Sequence, residues 1–159
     1  MPPKGVAVVG ASQDAHKLGY GVIRNLIEYR YKGGIYPVNH NAYEILGKTC
    51  YETIGQVPDP VDLAIIVVPA KAVAGVLKEC GEREIHHAVI VTGGFSETGE
   101  EGEQLEEELL AVASEYGIKI IGPNCIGTID THTPVNTTFV VGMPEVGEIG
   151  FISHSGAMV

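Results

Sequence analysis

The sequence predicts an α/β fold with a doubly wound, mainly parallel sheet flanked by helices. Two patterns support this prediction. Short apolar, β-branched segments alternate with segments of helical periodicity, as repeated strand–helix–strand units require. The connections between them are short, and right-handed crossovers then align the strands in one parallel sheet. With 159 residues, 45% of them hydrophobic, the chain has the length and the core material of one domain.

The first half of the chain contains three predicted strands and two predicted helices. The strands are apolar runs without polar alternation, typical of strands buried on both faces, and lie at 5–9, 35–38 and 61–68. The helices lie at 18–31, where apolar residues recur every three or four positions, and at 70–82.

The second half continues the alternation. A strand at 88–92 precedes a helix at 103–116, and a strand at 118–121 follows. Residues 128–148 lack periodicity and predict a wrapping loop, and a last strand is predicted at 147–152. The whole pattern is that of a Rossmann-like fold.

The composition excludes several functions. A formal net charge of −10 argues against a nucleic-acid-binding protein, which needs a basic surface. No apolar run reaches the roughly 18 residues of a membrane span, and residues 1–10 lack a signal peptide, so we expect a cytoplasmic protein. Cys50, Cys80 and Cys125 lack the spacing of a zinc site or a disulfide framework, and we interpret them as buried thiols.

A ligand is expected at the carboxyl ends of the predicted strands, where sheets of this class bind their ligands. All five ends are rich in glycine, proline and small polar residues, which expose backbone amides or let a ligand approach closely. They are residues 10–19, 37–40, 69–71, 93–97 and 122–125.

A nicotinamide dinucleotide or a nucleotide sugar is the weaker alternative. The GxGxxG fingerprint is absent, because the next glycine after Gly10 is Gly19. The second strand ends in Asn39-His40 rather than in the Asp or Glu that would hold ribose hydroxyls.

The loop at 10–19, after the strand at 5–9, nevertheless has the features of a phosphate-binding loop. Ser12 can donate a hydroxyl, Lys17 supplies a charge, and the next helix offers its N-terminus. The alternative is a structural connection in which Ser12 is a turn residue and Lys17 is solvated.

Six stretches of the chain match a known family in order. They are VAVVGASQDAHKLGYGV (6–22), YPVN (36–39), VDLAIIVVPA (61–70), VTGGFSETGEEG (91–102), IGPNCIGTIDTH (121–132) and GFISHSGAM (150–158). On these motifs the chain resembles the CoA-binding domain of NDP-forming acyl-CoA synthetases, above all the ADP-forming acetyl-CoA synthetases. It is more distantly similar to the α subunit of succinyl-CoA synthetase.

The resemblance implies a coenzyme A site built from these strand ends. At the nucleotide end the implied residues are Gly10, Ala11, Ser12 and Lys17 for the phosphates, Pro37, Val38 and Asn39 near the adenosine, and Val68, Pro69 and Ala70 as an apolar wall for the adenine. Along the pantetheine arm they are Gly94, Phe95, Ser96 and Glu97, with Asn124 and Cys125 toward the thiol. No catalytic residue and no metal ligand is expected in this chain.

The second motif departs from the family, which usually continues it as YPVNPK. Here His40 and Asn41 follow Asn39, so the lysine is missing. We expect the cation for the 3′-phosphate of CoA among Lys17, Lys48 and Lys71.

The resemblance also implies further parts outside these 159 residues. In the family, acyl-CoA forms through an acyl phosphate and a phosphohistidine in the following domain, and an ATP-grasp portion binds the nucleotide. We therefore expect residues 1–152 to be a CoA-binding domain and 153–159 to be the poorly ordered start of the next one. The expected partners are CoA or acyl-CoA and the remaining synthetase domains or an ATP-grasp subunit.

Two alternatives keep CoA but change the role. One is a stand-alone CoA-binding regulatory module, and the other is the synthetase-like part of a protein acetyltransferase.

Overall fold

A five-stranded parallel sheet forms the centre of the molecule. The computed structural model describes residues 2–153. These residues form nine strands: β1 (Gly5–Val9), β2 (Gly34–Val38), β3 (Glu44–Ile45), β4 (Lys48–Thr49), β5 (Leu63–Ile66), β6 (His87–Ile90), β7 (Lys119–Ile121), β8 (Ile129–Asp130) and β9 (Val135–Asn136). The central sheet has the order β2-β1-β5-β6-β7, and every pairing in it is parallel. This confirms the predicted Rossmann-like class.

Three α-helices cover the two faces of the sheet. They are α1 (Leu18–Glu28), α2 (Ala70–Glu82) and α3 (Glu100–Glu115), with short 3-10 helices at Ile54–Gln56 and Ser96–Thr98. Alternate residues of β1 enter different cores: Val6 and Val8 pack in the cluster that contains residues of α1, whereas Ala7 and Val9 pack in the one with α2 and α3. Because both faces are covered, β1 is buried along its whole length, as its unbroken apolar run predicts.

The chain reverses its direction of winding between β1 and β5. It passes from β1 through α1 to β2 on one side, then returns to add β5 on the other side of β1. The carboxyl ends of β1 and β5 therefore flank the crevice in which open α/β sheets bind ligands.

Arg83, at the end of α2, ties that helix to the segment before β5. Its guanidinium donates hydrogen bonds to the carbonyl oxygens of Gly55 and Val57, at 2.9 Å each, and pairs with the Asp59 carboxylate at 2.9 Å. The segment and the helix are thus held as one unit.

The stretch at 128–148 is more ordered than the predicted wrapping loop. It contains the β8–β9 hairpin, followed by buried Thr137 and Thr138. The fully buried Asn25 of α1 donates to the carbonyl oxygens of Thr138 (2.7 Å) and Val140 (2.8 Å). This segment is therefore anchored on the outer side of α1.

The strand predicted at 147–152 is wrong, since residues 147–152 form no strand. Ile149 and Ile152 are 96% and 94% exposed, and no neighbouring strand pairs with them. Apolar, β-branched composition does not make a strand without a partner for its backbone. The prediction for 153–159 falls outside the described residues except at Ser153.

Two helix boundaries also differ from the predictions. Helix α1 ends at Glu28, before the predicted 31, and α3 begins at Glu100, before the predicted 103. The first turn of α3 carries Glu100, Glu101 and Glu103, and carboxylates at a helix N-terminus interact favourably with its dipole.

Candidate functional site

Two adjoining cavities open at the crevice between β1 and β5. One, of about 440 Å³, lies at the start of α1 and is called the α1 cavity here. The other, of about 410 Å³, lies along α2 and is called the α2 cavity. Gly10, Asn39, Val68 and Pro69 line both, so the two form one continuous crevice.

The α1 cavity is built by a close approach of helix to strand. Its lining consists of Gly10, Ala11, Ser12, Lys17, Leu18, Gly19, Asn39, Val67, Val68 and Pro69. Gly10 has a φ of +88°, and a Cβ on Gly19 would collide with the carbonyl oxygen of Gly10. These two glycines provide the tight turn and the close helix packing that the GxGxxG fingerprint provides at shorter spacing.

Two polar groups of the α1 cavity, the Ser12 hydroxyl and the Lys17 ammonium group, are available to a ligand. The Ser12 hydroxyl oxygen accepts a hydrogen bond from the Asp14 amide at 3.1 Å, which leaves its own proton to donate. Among the residues that the structure describes, no side chain caps the N-terminus of α1. Among the described residues that line either cavity, Lys17 is the only lysine or arginine.

The α2 cavity has an apolar floor and an acidic rim. It is lined by Val9, Gly10, Val38, Asn39, His40, Glu52, Thr53, Val68, Pro69, Ala72, Gly75, Val76 and Glu79. Sequence reasoning missed Glu52, Thr53 and the four α2 residues. One signal was available: positions 72, 75, 76 and 79 share one face of the predicted helix, directly after a strand end.

Several implied nucleotide contacts serve the protein itself. The Asn39 carboxamide donates to the Ala11 carbonyl oxygen at 2.6 Å and accepts from the Asn41 amide at 2.8 Å. It therefore joins the ends of β1 and β2. The Ala11 side chain is fully buried, and Pro37 lies buried inside β2 and lines neither cavity.

The glycine-rich turn after β6 is closed by its own carboxylate. Glu97 accepts hydrogen bonds from the amides of Gly94 (2.6 Å) and Phe95 (3.2 Å), and these bonds lower the pKa of the Glu97 carboxyl group. The Ser96 amide donates to Glu106 at 3.1 Å. The amides of Gly94, Phe95 and Ser96 are thus already hydrogen-bonded, and the Phe95 side chain is fully buried in the core rather than exposed to a ligand.

The residues expected near the thiol lie at the same sheet edge but outside both cavities. Asn124 is exposed, and its amide donates to the Thr92 carbonyl oxygen at 2.8 Å. The Cys125 thiol lies 3.3 Å from the Ile90 carbonyl oxygen. Burial raises the pKa of the thiols of Cys125, Cys50 and Cys80, the last to about 12. Cys80 is buried as predicted, whereas Cys50 and Cys125 are only partly buried.

Of the three lysines expected to meet the 3′-phosphate, only Lys17 lies at a cavity. The Lys71 ammonium group pairs with the Glu101 carboxylate at 2.7 Å, which raises the pKa of Lys71 and lowers that of Glu101. Lys48, in β4, lines neither cavity. His40, which stands where the family has proline, lines the α2 cavity.

Comparison with known families identifies the family of the chain that forms this crevice. The profile of the family described as "CoA binding domain" matches residues 4–131, most of the chain and every strand of the central sheet. The chain belongs to this family. Its ligand class is therefore coenzyme A, and the two cavities lie in a CoA-binding domain.

Relatives and solved structures agree with this membership. The CoA-binding domain is 50% identical over 156 residues to the α subunit of ADP-forming acetate–CoA ligase II from Pyrococcus furiosus, covering 98% of the chain and 34% of that subunit. It is 47% identical to ADP-forming acetate–CoA ligase I from Archaeoglobus fulgidus, covering 99% of the chain and 23% of the ligase. Acetyl-coenzyme A synthetase 1 from Candidatus Korarchaeum cryptofilum, solved with phosphate and ADP, superimposes with a TM-score of 0.93 at 44% identity, covering 98% and 33% of the two chains.

The CoA-binding domain thus spans about a third, or less, of the length of these relatives. No helix among residues 2–153 is long and apolar enough to cross a membrane.

Proposed function

We propose that this CoA-binding domain supplies the CoA site of an ADP-forming acyl-CoA synthetase, with acetate–CoA ligase as the reaction class. The nucleotide end of CoA lies in the two cavities between β1 and β5. One observation carries this placement: within residues 2–153, the α1 cavity combines a lysine without an ion-pair partner, a free hydroxyl proton and an uncapped helix start.

The phosphates belong in the α1 cavity because its groups are hydrogen-bond donors or positive. Lys17 supplies the charge, Ser12 donates its hydroxyl, and the N-terminus of α1 adds its partial positive charge. Gly10 and Gly19 let the ligand reach the backbone at this point. The acidic rim of the α2 cavity would repel a phosphate, so the less polar adenosine goes there, against Val38, Val68 and Pro69.

The pantetheine arm runs along the sheet edge toward β6 and β7. It passes the turn formed by Gly94, Ser96 and Glu97 and brings the thiol toward Asn124 and Cys125. Since Glu97 holds the amides of Gly94 and Phe95, the arm contacts the outer surface of this turn. The raised pKa of Cys125 is consistent with CoA, rather than the protein, supplying the reacting thiol.

In this reaction the CoA sulfur bonds to the carbonyl carbon of an acyl phosphate, and inorganic phosphate leaves. The CoA-binding domain holds and orients CoA, while the remaining synthetase domains or an ATP-grasp subunit act as partners. The relatives named above, all ligases or their subunits, support this reading over a stand-alone regulatory module or a protein acetyltransferase. The domain boundary at 152–153 and a cytoplasmic location stay predictions.

The test is calorimetric titration of the 159-residue chain with CoA and with 3′-dephospho-CoA. We expect CoA to bind and the dephosphorylated analogue to bind more weakly. No heat with millimolar CoA would contradict the proposed site. Tight binding of NADH or NADPH, followed by fluorescence, would instead favour the dinucleotide alternative.

A further inference from the structure

One wall of the α2 cavity is made by a single helix face. Ala72, Gly75, Val76 and Glu79, called the α2 wall here, follow helical spacing and line the cavity over two turns. No other residues of α2 line it, so this face alone sets the shape of that side.

Gly75 has no packing reason to be glycine. It lies inside α2, where glycine costs about 0.5–1 kcal/mol relative to alanine. Nothing lies within 4 Å of the Cβ that another residue would add there. Gly81 in the same helix is different, because a Cβ there would collide with the ring of Tyr116. The space beside Gly75 opens onto the cavity, which points to an occupant on that side.

The two carboxylates at this cavity have no protein partner. Within residues 2–153, neither Glu52 nor Glu79 makes a side-chain hydrogen bond or an ion pair. Ionised carboxylates only accept hydrogen bonds, so they repel phosphate and favour a group that bears N–H donors. Carboxylates above an apolar floor fit a ligand that has a flat ring with an amino group at its edge.

We infer that the α2 wall selects the adenine base of CoA: Gly75 leaves room for the ring, and the Glu79 carboxylate accepts a hydrogen bond from its 6-amino group. Glu79 lies one turn beyond Gly75 on the same face, so one base can meet both. A 6-oxo base would turn a carbonyl oxygen toward the carboxylate. The inference rests on the proposed function, which puts the nucleotide end of CoA in these cavities.

The first experiment is the variant Gly75→Leu, titrated with CoA. The added Cβ has no protein atom within 4 Å, and a leucine side chain would extend into the space for the ring, so affinity should fall about 10- to 100-fold. Thermal unfolding should show a variant at least as stable as the parent, because leucine is the better helix former. Glu82→Leu, an exposed change on α2 away from the cavity, is the control and should bind CoA normally.

The second experiment measures base preference with CoA and its hypoxanthine analogue. The parent should prefer CoA by about tenfold, the usual consequence of an unmatched polar group. Glu79→Gln should largely remove this preference, since its amide can also donate to a carbonyl, whereas Glu52→Gln should keep it.

The outcomes separate the inference from the function beneath it. If the parent fails to bind CoA, the proposed function falls. If the parent binds CoA but Gly75→Leu binds equally well, or Glu79→Gln keeps the full base preference, the α2 wall does not read the base.

Discussion

The carboxyl edge of the central sheet has two halves that treat their polar groups in opposite ways. At the ends of β1 and β5, the Lys17 ammonium group and the proton of Ser12 have no partner among residues 2–153, and the crevice is open. At the end of β6, Glu97 closes the turn, and Glu101 of the following helix pairs with Lys71 at the start of α2. Both halves carry glycine-rich family motifs, yet only the first keeps its charge available.

The difference gives a physical criterion for separating binding residues from structural ones. A polar group that is already hydrogen-bonded must lose that bond before it can hold a ligand, so its net contribution is small. Groups without protein partners lose no such bond, so their full interaction energy is available for binding the ligand. The open half should therefore dominate CoA affinity, and the closed half should dominate local stability.

The largest predicted difference in CoA affinity is between substitutions of Lys17 and of Lys71. Lys17→Ala removes the only lysine or arginine of the described cavity linings and should weaken CoA binding about 10- to 100-fold, the range for a charged hydrogen bond. Lys71→Ala is the matched control and should change affinity by less than about twofold. Calorimetric titration of both variants checks this. Equal losses in the two would mean that the ion pair with Glu101 does not withhold Lys71.

A smaller effect is expected at Ser12. Ser12→Ala removes one neutral hydroxyl donor and should weaken CoA binding about fivefold, less than the loss of Lys17. Titration at the same salt concentration gives the ratio. An unchanged affinity in both Ser12→Ala and Lys17→Ala would show that the phosphates do not use this loop.

The smallest effect concerns acid stability of the closed half. The pKa of Glu97 is lowered in the folded state, so its contribution is present above its unfolded pKa and is lost as pH falls through the folded value. Glu97→Gln should be less stable than the parent near neutral pH by less than about 1 kcal/mol, because the site is exposed. Urea unfolding from about pH 7 to about pH 3 should show the gap closing. A gap that widens toward acid would contradict the assignment.

The elements that sequence predicted well are those with a clear local signal. The apolar run of β1 predicts a buried strand and nothing else. The predicted helix at Ala70–Glu82 matches the structure to the residue, because Pro69 and the strand before it fix its start. The strand at 147–152 was wrong because pairing depends on a distant neighbour that no local pattern reveals.

The sequence likewise predicts some residues that line the cavities and misses others. Lys17 and Ser12 could be found because glycine, hydroxyl and charge follow one strand end together. A motif match does not reveal that the Asn39 carboxamide is hydrogen-bonded within the protein or that the Phe95 side chain is buried in the core. Glu79 and Glu52 belong to separate elements that only the tertiary fold brings to one cavity, although the unexplained glycine at position 75 could have marked the helix face.

Arg83 has a consequence for tuning this domain. Its three hydrogen bonds to the 55–59 segment connect the two sides of the α2 cavity. Glu52 and Thr53, on one side, lead into that segment, and Gly75, on the other, lies in the helix that Arg83 follows. The two sides are therefore held together by a residue that lines neither cavity. A substitution at Arg83 is therefore expected to change the shape of the α2 cavity while every lining residue stays the same.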